Sequence, residues 1–323
     1  MFKRWIPALC ATLVGVAAGP VSAQTAFPTQ PIRLVVPFAA GGGSDTLARS
    51  LTDAVSRQLG QPVIVENKPG GGTNIAAQLV LNAPADGHTV MVNTASFVIN
   101  KHLMAKHPFE PLKDFVPVTL MAASPHLLVV HPSVPASDLK SFIAWAKAQD
   151  GKASFASFGN GSSSHLGFEI LKAAGGFEMV HVAYKGAAPA TADLIGGQVQ
   201  AMLADLQAAT EQVRGGRLKA IAVAGPARVS SLPDVPTLAE GGLAGLESRS
   251  WFGLVVRAGT PAAAVTRLHA AFTQAIQDPG TVARLGQSGL VPIASAPDDF
   301  GRFLVSESVK YGDAVKRAGL KAE

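Results

Sequence analysis

Two glycine clusters are where residue type and spacing in this chain could do chemistry. The first, Gly41-Gly42-Gly43-Ser44-Asp45, follows the apolar run Leu34-Val35-Val36 and precedes a helical pattern at Leu47, Leu51, Val55 and Leu59. The second, Gly70-Gly71-Gly72-Thr73-Asn74, follows Val63-Ile64-Val65 and Glu66-Asn67-Lys68-Pro69. Glycine has no Cβ to block an approaching ligand, so such a loop can offer several backbone N–H groups at once. The helix starting there adds about half a positive charge at the same point. Strand, glycine loop and helix N-terminus together make an anion site. The alternative for the first loop is a tight turn with Ser44 as a plain N-cap. Repetition argues against that alternative, because two such loops in consecutive strand–helix units fall at one carboxyl edge of a parallel sheet. The chain has neither G-x-x-x-x-G-K-[ST] nor a G-x-G-x-x-G after the first strand, so polyphosphate and dinucleotide motifs are absent.

A third cluster, Gly161-Ser162-Ser163-Ser164-His165, invites a hydrolase reading. It is not a G-x-S-x-G elbow. Serine and histidine adjacent in sequence rarely hold triad geometry, whose base comes from elsewhere in the fold. The cluster reads instead as a helix N-terminus with donors for an anion, or as capping by Ser164. Thr94 and Ser96 are small polar residues at another strand's C-terminal end. Lys185, in Tyr184-Lys185-Gly186, is a lone cation at a strand end, and is either solvated or a ligand partner. Asp205 lies just past a strand, where its carboxylate accepts from a ligand amine or holds a loop. Trp251 reads as core, with cleft lining as the alternative. His102, His107, His126, His131 and His181 form no H-x-x-x-H pair, so no metal site is expected.

The elements that must position these residues alternate. Strands read at Ile32–Val36, Val63–Val65, Thr89–Val92, Ala153–Phe158, Val180–Tyr184, Ala201–Leu203, Ala220–Val223 and Val291–Ile293. Helices read at Thr46–Leu59, Ile75–Leu81, 138–149, 165–173, 190–195, 206–214, 262–276 and 298–318. Alternation means an α/β fold with parallel sheets. Val116–Val130 is too long for one ordinary strand and is expected to cross between domains, as is Ser250–Val256.

Of the 323 residues, 48% are hydrophobic and 15% charged, enough for two ordinary domains and too little charge for a disordered chain. Lys3-Arg4, the apolar stretch Ile6–Val21 and Val21-Ser22-Ala23 read as a signal peptide cleaved after Ala23. Cys10, the chain's single cysteine, leaves with it, so the mature protein has no disulfide or thiolate chemistry, which fits a bacterial periplasm. The net charge of +5 is scattered, without a basic run interleaved with aromatics, so nucleic acid is not an expected partner.

Several stretches resemble one family in order. Pro28–Phe38 running into Gly41–Asp45 is similar to the start of the extracytoplasmic Bug proteins, solute-binding components of tripartite tricarboxylate transporters. The likeness continues through Glu66–Gly72, Ala85–Thr89, Ser162–Leu166, Val182–Gly186, Gly196–Val199, Trp251-Phe252-Gly253 and Gly259-Thr260-Pro261. It departs at Ala204-Asp205-Leu206, where the family often has Phe-Asp-Asn, and at His88, where tyrosine is frequent.

The resemblance implies a two-lobed periplasmic-binding-protein fold of the type with two crossings: two mainly parallel sheets and a ligand cleft between lobes. The lobes are expected at 24–123 with 253–285, and at 124–252 with 286–323, with crossings near 121–130 and 250–256. The implied ligand is a small carboxylate, a di- or tricarboxylate or aromatic acid, held by both glycine loops and by the second lobe's loops. Its expected contacts are Phe38, Ala40, Gly42, Gly43, Ser44, Asp45, Gly71, Gly72, Thr73, Asn74, Thr94, Ser96, Ser162, Ser163, Ser164, His165, Lys185 and Asp205. No cofactor and no catalysis are implied. The implied protein is a monomeric periplasmic clamp serving the membrane subunits of a tripartite transporter. The alternatives are a ligand-sensing module for a sensor kinase, and a serine hydrolase using Ser162 or Ser163 with His165.

Overall fold

The structure is a computed structural model and describes Met1 and residues 27–317. The signal peptide expected over residues 1–23 otherwise lies outside the described residues. In chain order the first part comprises β1 (Ile32–Val36), α1 (Gly43–Leu59), β2 (Val63–Asn67), a 3-10 turn (Gly71–Thr73), α2 (Asn74–Asn82), β3 (Thr89–Asn93), α3 (Ser96–Leu103), α4 (Pro111–Asp114) and β4 (Phe115–Val130). Then come α5 (Leu139–Ala148), β5 (Ser154–Ser157), α6 (Ser163–Gly175), β6 (Val180–Ala183), α7 (Ala187–Ile195), β7 (Ala201–Asp205), α8 (Leu206–Arg214) and β8 (Lys219–Val223). The chain finishes with β9 (Arg249–Arg257), α9 (Ala262–Gln277), α10 (Pro279–Gln287), β10 (Val291–Pro292) and α11 (Pro297–Arg317).

The strands run in the order β2-β1-β3-β9-β4-β7-β5-β6, with β8 and β10 also paired to β4. The pairs β1–β2, β1–β3, β5–β6 and β5–β7 are parallel, as alternation predicts. The crossing strands are antiparallel: β9 to both β3 and β4, and β4 to β7, β8 and β10. The sheets are therefore mixed, because each return of the chain between halves runs against the strands it joins. Strand β4 belongs to both halves. Its Phe115–Pro125 stretch pairs with β9, and His126–Val130 pairs with β7.

Each half is a sheet covered on both faces. Leu47, Leu51, Val55 and Leu59 of α1 are buried with Ile32, Leu34, Val36 and the α9 residues Leu268 and Phe272. Each such side chain contributes about 1.5–3 kcal/mol on leaving water. The opposite face buries Phe97, Trp251, Phe300 and Leu304. Phe142, Phe155 and Phe168 fill one face of the second half, and Leu194, Met202 and Leu206 the other.

Three expectations are corrected. Helix α1 begins at Gly43 rather than Thr46, because the Thr46 N–H already bonds the Gly42 carbonyl at 2.9 Å. Gly42 is therefore the N-cap and Ser44 lies inside the helix. Residues 286–323 are expected in the second lobe, yet β10 pairs with Ala122 and Ala123 and α11 packs in the core that holds Phe97 and Val98 of α3, so the described part of this segment sits with the first half. Residues 249–252 also lie with the first half, since β9 pairs with β4 from Arg257 down to Arg249. Helices α3, α4 and α10 are not among the expected elements.

Candidate functional site

A cavity of about 680 Å³ separates the carboxyl ends of the two halves. One wall is Pro37, Phe38 and the run Gly70–Asn74, with Ser96, Asn100, Leu103 and Met104 of the α3 region. The other is Phe158–Gly161, His165, His181 and Ala183–Lys185. Beside it lies a chamber of about 20 Å³, the room of about one water. Phe38, Ser96 and Phe158 line both spaces.

The chamber is where helix beginnings meet. Gly43 and Ser44 open α1, Ser96 opens α3, Ser162 caps α6 with Ser163 following, and Ala187 opens α7; all line it. Four helix N-termini thus aim partial positive charge at one small space. Among the described residues, no lysine or arginine lines the chamber. The Thr94 hydroxyl is buried there without a hydrogen-bond partner. Asp205 lines it too, and burial pushes its carboxyl up to about 6, with the hydrogen bond from Ser250 opposing.

Among the described residues, the large cavity has Lys185 as the one cation in its wall and no aspartate or glutamate. Gly71 and Gly72 have φ of 57° and 58°, a region open to glycine, so the second loop turns its backbone into the cavity. Thr73 follows with φ 83°, a strained conformation costing about 1–3 kcal/mol, and its hydroxyl is buried and unpaired. Backbone strain and an orphaned hydroxyl thus coincide on one cavity-lining residue. The Asn74 side-chain oxygen is also buried without a partner.

His165 and His181 stack with ring centroids 3.9 Å apart. Burial lowers both, His165 to about 4 and His181 to about 3, and nearby Lys172 adds to the effect. Both are therefore neutral at neutral pH. The Gly161 N–H donates to His165 Nδ1 at 3.3 Å, which leaves Nε2 carrying the proton. Ser162 accepts from the His165 backbone N–H, and Ser164 donates to the Leu203 carbonyl at 2.6 Å. No serine hydroxyl of this turn hydrogen-bonds the His165 ring.

Of the expected contacts, Phe38, Gly42, Gly43, Ser44, Thr94, Ser96, Ser162, Ser163 and Asp205 line the chamber. Gly71, Gly72, Thr73, Asn74, His165 and Lys185 line the large cavity. Ala40, Asp45 and Ser164 line neither. Asp45 instead ties down the first loop, accepting from the Gly41 N–H, Asn67 and Arg49 at 3.0 Å each. Burial opposes ionisation of Asp45, but these donors hold its carboxyl below the usual range. Trp251 is fully buried core, with Nε1 donating to Glu307 at 2.8 Å. Asn100, Asn160, Phe158, Tyr184, His181, Ser250 and Phe252 escape the sequence reading of the site. Asn100 is hidden because its helix is not expected, and Phe158 and Tyr184 carry no signal beyond standing at strand ends. Among the described residues, no group of three His, Cys, Asp or Glu is arranged to hold a metal.

Residues 47–320 match the tripartite tricarboxylate transporter family receptor. The chain belongs to this family. It is 34% identical to protein BugT of Bordetella pertussis, over 95% of this chain and 94% of that one. An R. palustris protein solved with adipate superposes with a TM-score of 0.89 at 32% identity, covering 92% of this chain and all of that one. MatC of Rhodopseudomonas palustris, solved with bound malate, gives 0.86 at 33% identity, covering 90% of this chain and all of that one. The receptor thus has the two-lobed α/β fold of periplasmic binding proteins. Its described residues include no helix long and apolar enough to cross a membrane.

Proposed function

We propose that this receptor captures a small carboxylate between its lobes and carries out no catalysis of its own. The observation that carries the reading is the chamber on which four helix N-termini converge, beside a cavity free of acidic side chains among the described residues. One carboxylate is held at the chamber end by Gly42, Gly43, Ser44, Thr94, Ser96, Ser162, Ser163 and Asp205. The body of the ligand lies against Phe38, Gly71, Gly72, Thr73, Asn74 and His165, with its far end towards Lys185. Adipate and malate, bound by its structural neighbours, support a dicarboxylate of this reach. The absence of any serine–imidazole hydrogen bond in the Ser162–His165 turn supports binding over hydrolysis.

The lobes are residues 27–123 with 249–317, and 127–247, and they rotate about the strand crossings at 124–126 and 248. A ligand that touches both lobes favours the closed form in proportion to its preference for closed over open. The closed monomer, exported after cleavage behind Ala23, presents its cargo to transporter membrane subunits, or to a sensor kinase where signalling is the outcome.

A thermal-shift screen against mono-, di- and tricarboxylates, aromatic acids and amino acids tests the reading. A true ligand at a hundredfold excess over Kd stabilises by about 2.7 kcal/mol. Small-angle scattering with that ligand should show a modest fall in radius of gyration. A screen without a carboxylate hit, or ester turnover abolished by Ser162→Ala, overturns it.

A further inference from the structure

We propose that Asp205 shares a proton with the bound carboxylate, so that the receptor takes up one proton for each ligand it closes on. The inference rests on the carboxylate reading above and adds what sits opposite the ligand's charge.

Asp205 ends β7 and is 4% exposed. Its two oxygens have different surroundings. Oδ1 accepts from the Ser250 hydroxyl at 2.5 Å. Oδ2 has no hydrogen-bond donor among the described residues and lies against the first residue of α1, where a Cβ added to Gly43 would stand 2.9 Å away. Both Asp205 and Gly43 line the small chamber. That chamber holds one oxygen-sized group, and the helix N-termini around it favour an oxyanion. A carboxylate oxygen seated there meets Oδ2 at close range. Two carboxylates in one small site cannot both stay ionised, and one keeps a proton. The Asp205 O–H then donates to the ligand, with the proton coming from solvent.

Around Asp205 the helix N-termini supply partial positive charge, and no side chain among the described residues supplies a full one. From β4, His126 Nε2 lies 3.6 Å from Oδ1, but burial drives that imidazole down to about 3, so it stays neutral. His126 is held by Ser248 at Nδ1 and Ser250 at Nε2, at 2.8 and 3.0 Å. β9 contributes uncharged Ser250 and Phe252, and Arg249 lies over the Phe303 ring. α1 contributes Gly43 and Ser44, while Asp45 is engaged by Arg49, Asn67 and Gly41. α8 brings uncharged Gln207 towards Gly43, and α6 brings Ser163 to the chamber. Among the described residues no cation faces the carboxylate, so a proton is the available counter-charge. Burial already pushes Asp205 up to about 6 before any ligand arrives.

The test is calorimetry on the exported protein with acetate, succinate, malate, adipate, citrate, benzoate and glutamate between pH 5.5 and 8.5. Affinity for the tightest carboxylate should weaken about tenfold per pH unit above about pH 6. Titrations at pH 7.5 in phosphate and in Tris, which differ in ionisation heat, should report one proton taken up. Asp205→Asn keeps a neutral donor and should give pH-independent affinity. Ser250→Ala removes the donor that favours ionised Asp205, and should move the onset of weakening to higher pH. Should Asp205→Asn not fold, the wild-type proton count and Ser250→Ala still decide the matter. Carboxylate binding that stays constant from pH 6 to 8.5 overturns proton sharing and leaves the carboxylate reading intact. Binding of glutamate alone, weakening as pH falls, also overturns it, by showing an ionised Asp205 that accepts from an ammonium. If none of the carboxylates binds at any pH, both readings fall.

Discussion

The Ala39 backbone N–H donates to the Lys185 carbonyl at 3.0 Å, joining the loop after β1 to the loop after β6 across the cleft. The bond depends on Gly186, whose φ of 139° is open to glycine. A Cβ there would lie 3.3 Å from the Ala39 nitrogen and 3.4 Å from the Phe38 Cβ. Gly186→Ala should therefore weaken closure, with ligand affinity falling at least tenfold, about 1.4 kcal/mol. Isothermal titration checks the loss. Backbone strain adds about 1–3 kcal/mol of destabilisation, read from urea unfolding.

Gly43→Ala crowds the contact between lobes without backbone strain, because the position is helical. Its new methyl would stand 2.9 Å from Asp205 Oδ2 and 3.0 Å from Gln207 Nε2 in the opposite lobe, and 2.9 Å from the buried Phe252 Cζ in its own. The variant should lose about 1–3 kcal/mol of stability without ligand from the crowding of Phe252, bind at least tenfold more weakly, and show a smaller ligand-induced fall in radius of gyration.

The glycine loops offer backbone donors, which trimming cannot remove but an added side chain can block. Gly42→Val directs a branched Cβ towards Ala187, whose Cβ is 3.7 Å from the added atom. Gly71→Val fills the second loop and is strained at φ 57°. Each should lose at least tenfold in affinity. Ser44→Ala should lose less, since Ser44 is not the cap and the loop N–H groups remain. Gly197→Ala, beside His131 and away from both spaces, should leave affinity unchanged despite its φ of 71°. Binding titrations paired with melts separate the two effects.

Acid should destabilise the fold. His126, His165 and His181 sit at about 3, 4 and 3 when folded, against an ordinary histidine value of 6.5. Between those limits the unfolded chain binds more protons, so stability rises with pH. The contribution is intact above about 6.5 and is lost as pH falls towards the folded values. Asp205, raised to about 6, acts in the opposite sense between its ordinary value and 6. These four groups together take up about two protons on unfolding near pH 5. Urea midpoints at pH 7, 5.5 and 4.5 should fall in that order, and His126→Asn should reduce the slope by about one proton.

Trp251→Phe should remove the indole donor from Glu307, which is 4% exposed, and leave a buried carboxylate short of a partner. The expected cost is about 1–3 kcal/mol. Ligand affinity should be unchanged, because Trp251 faces Phe300 and Phe303 of α11 and not the cavity. Denaturant titration and calorimetry together check the pair of outcomes.

The sequence carries most strands and the long helices, because alternation and 3.6-residue spacing are local signals. It carries the glycine loops for the same reason. Helix α3 is not readable, since Phe97, Val98 and Ile99 are consecutive and all buried, which blurs the helical period. Adjacency places Asp45 in the site, whereas its rotamer turns it to Arg49 and Asn67. The cluster of His126, Ser248, Ser250 and Asp205 cannot be read at all. His126 and Ser250 are 124 positions apart, and only the pairing of β4 with β9 and β7 brings the four together.

The sharing of β4 between halves also sets an order of assembly. The core holding Leu128, Phe155 and Leu238 draws on residues 128–246, one unbroken stretch. The core holding Ile32 and Leu47 needs residues as late as Leu290, and the face with Phe97 needs α11 as far as Val315. A chain emerging N-terminus first can therefore complete its middle segment while the opening hundred or so residues still wait for the tail. Contacts of such long range close slowly. The first lobe, with both glycine loops, stays unfinished until almost the whole chain is through, so the cavity between the halves is the last part of the fold to be completed.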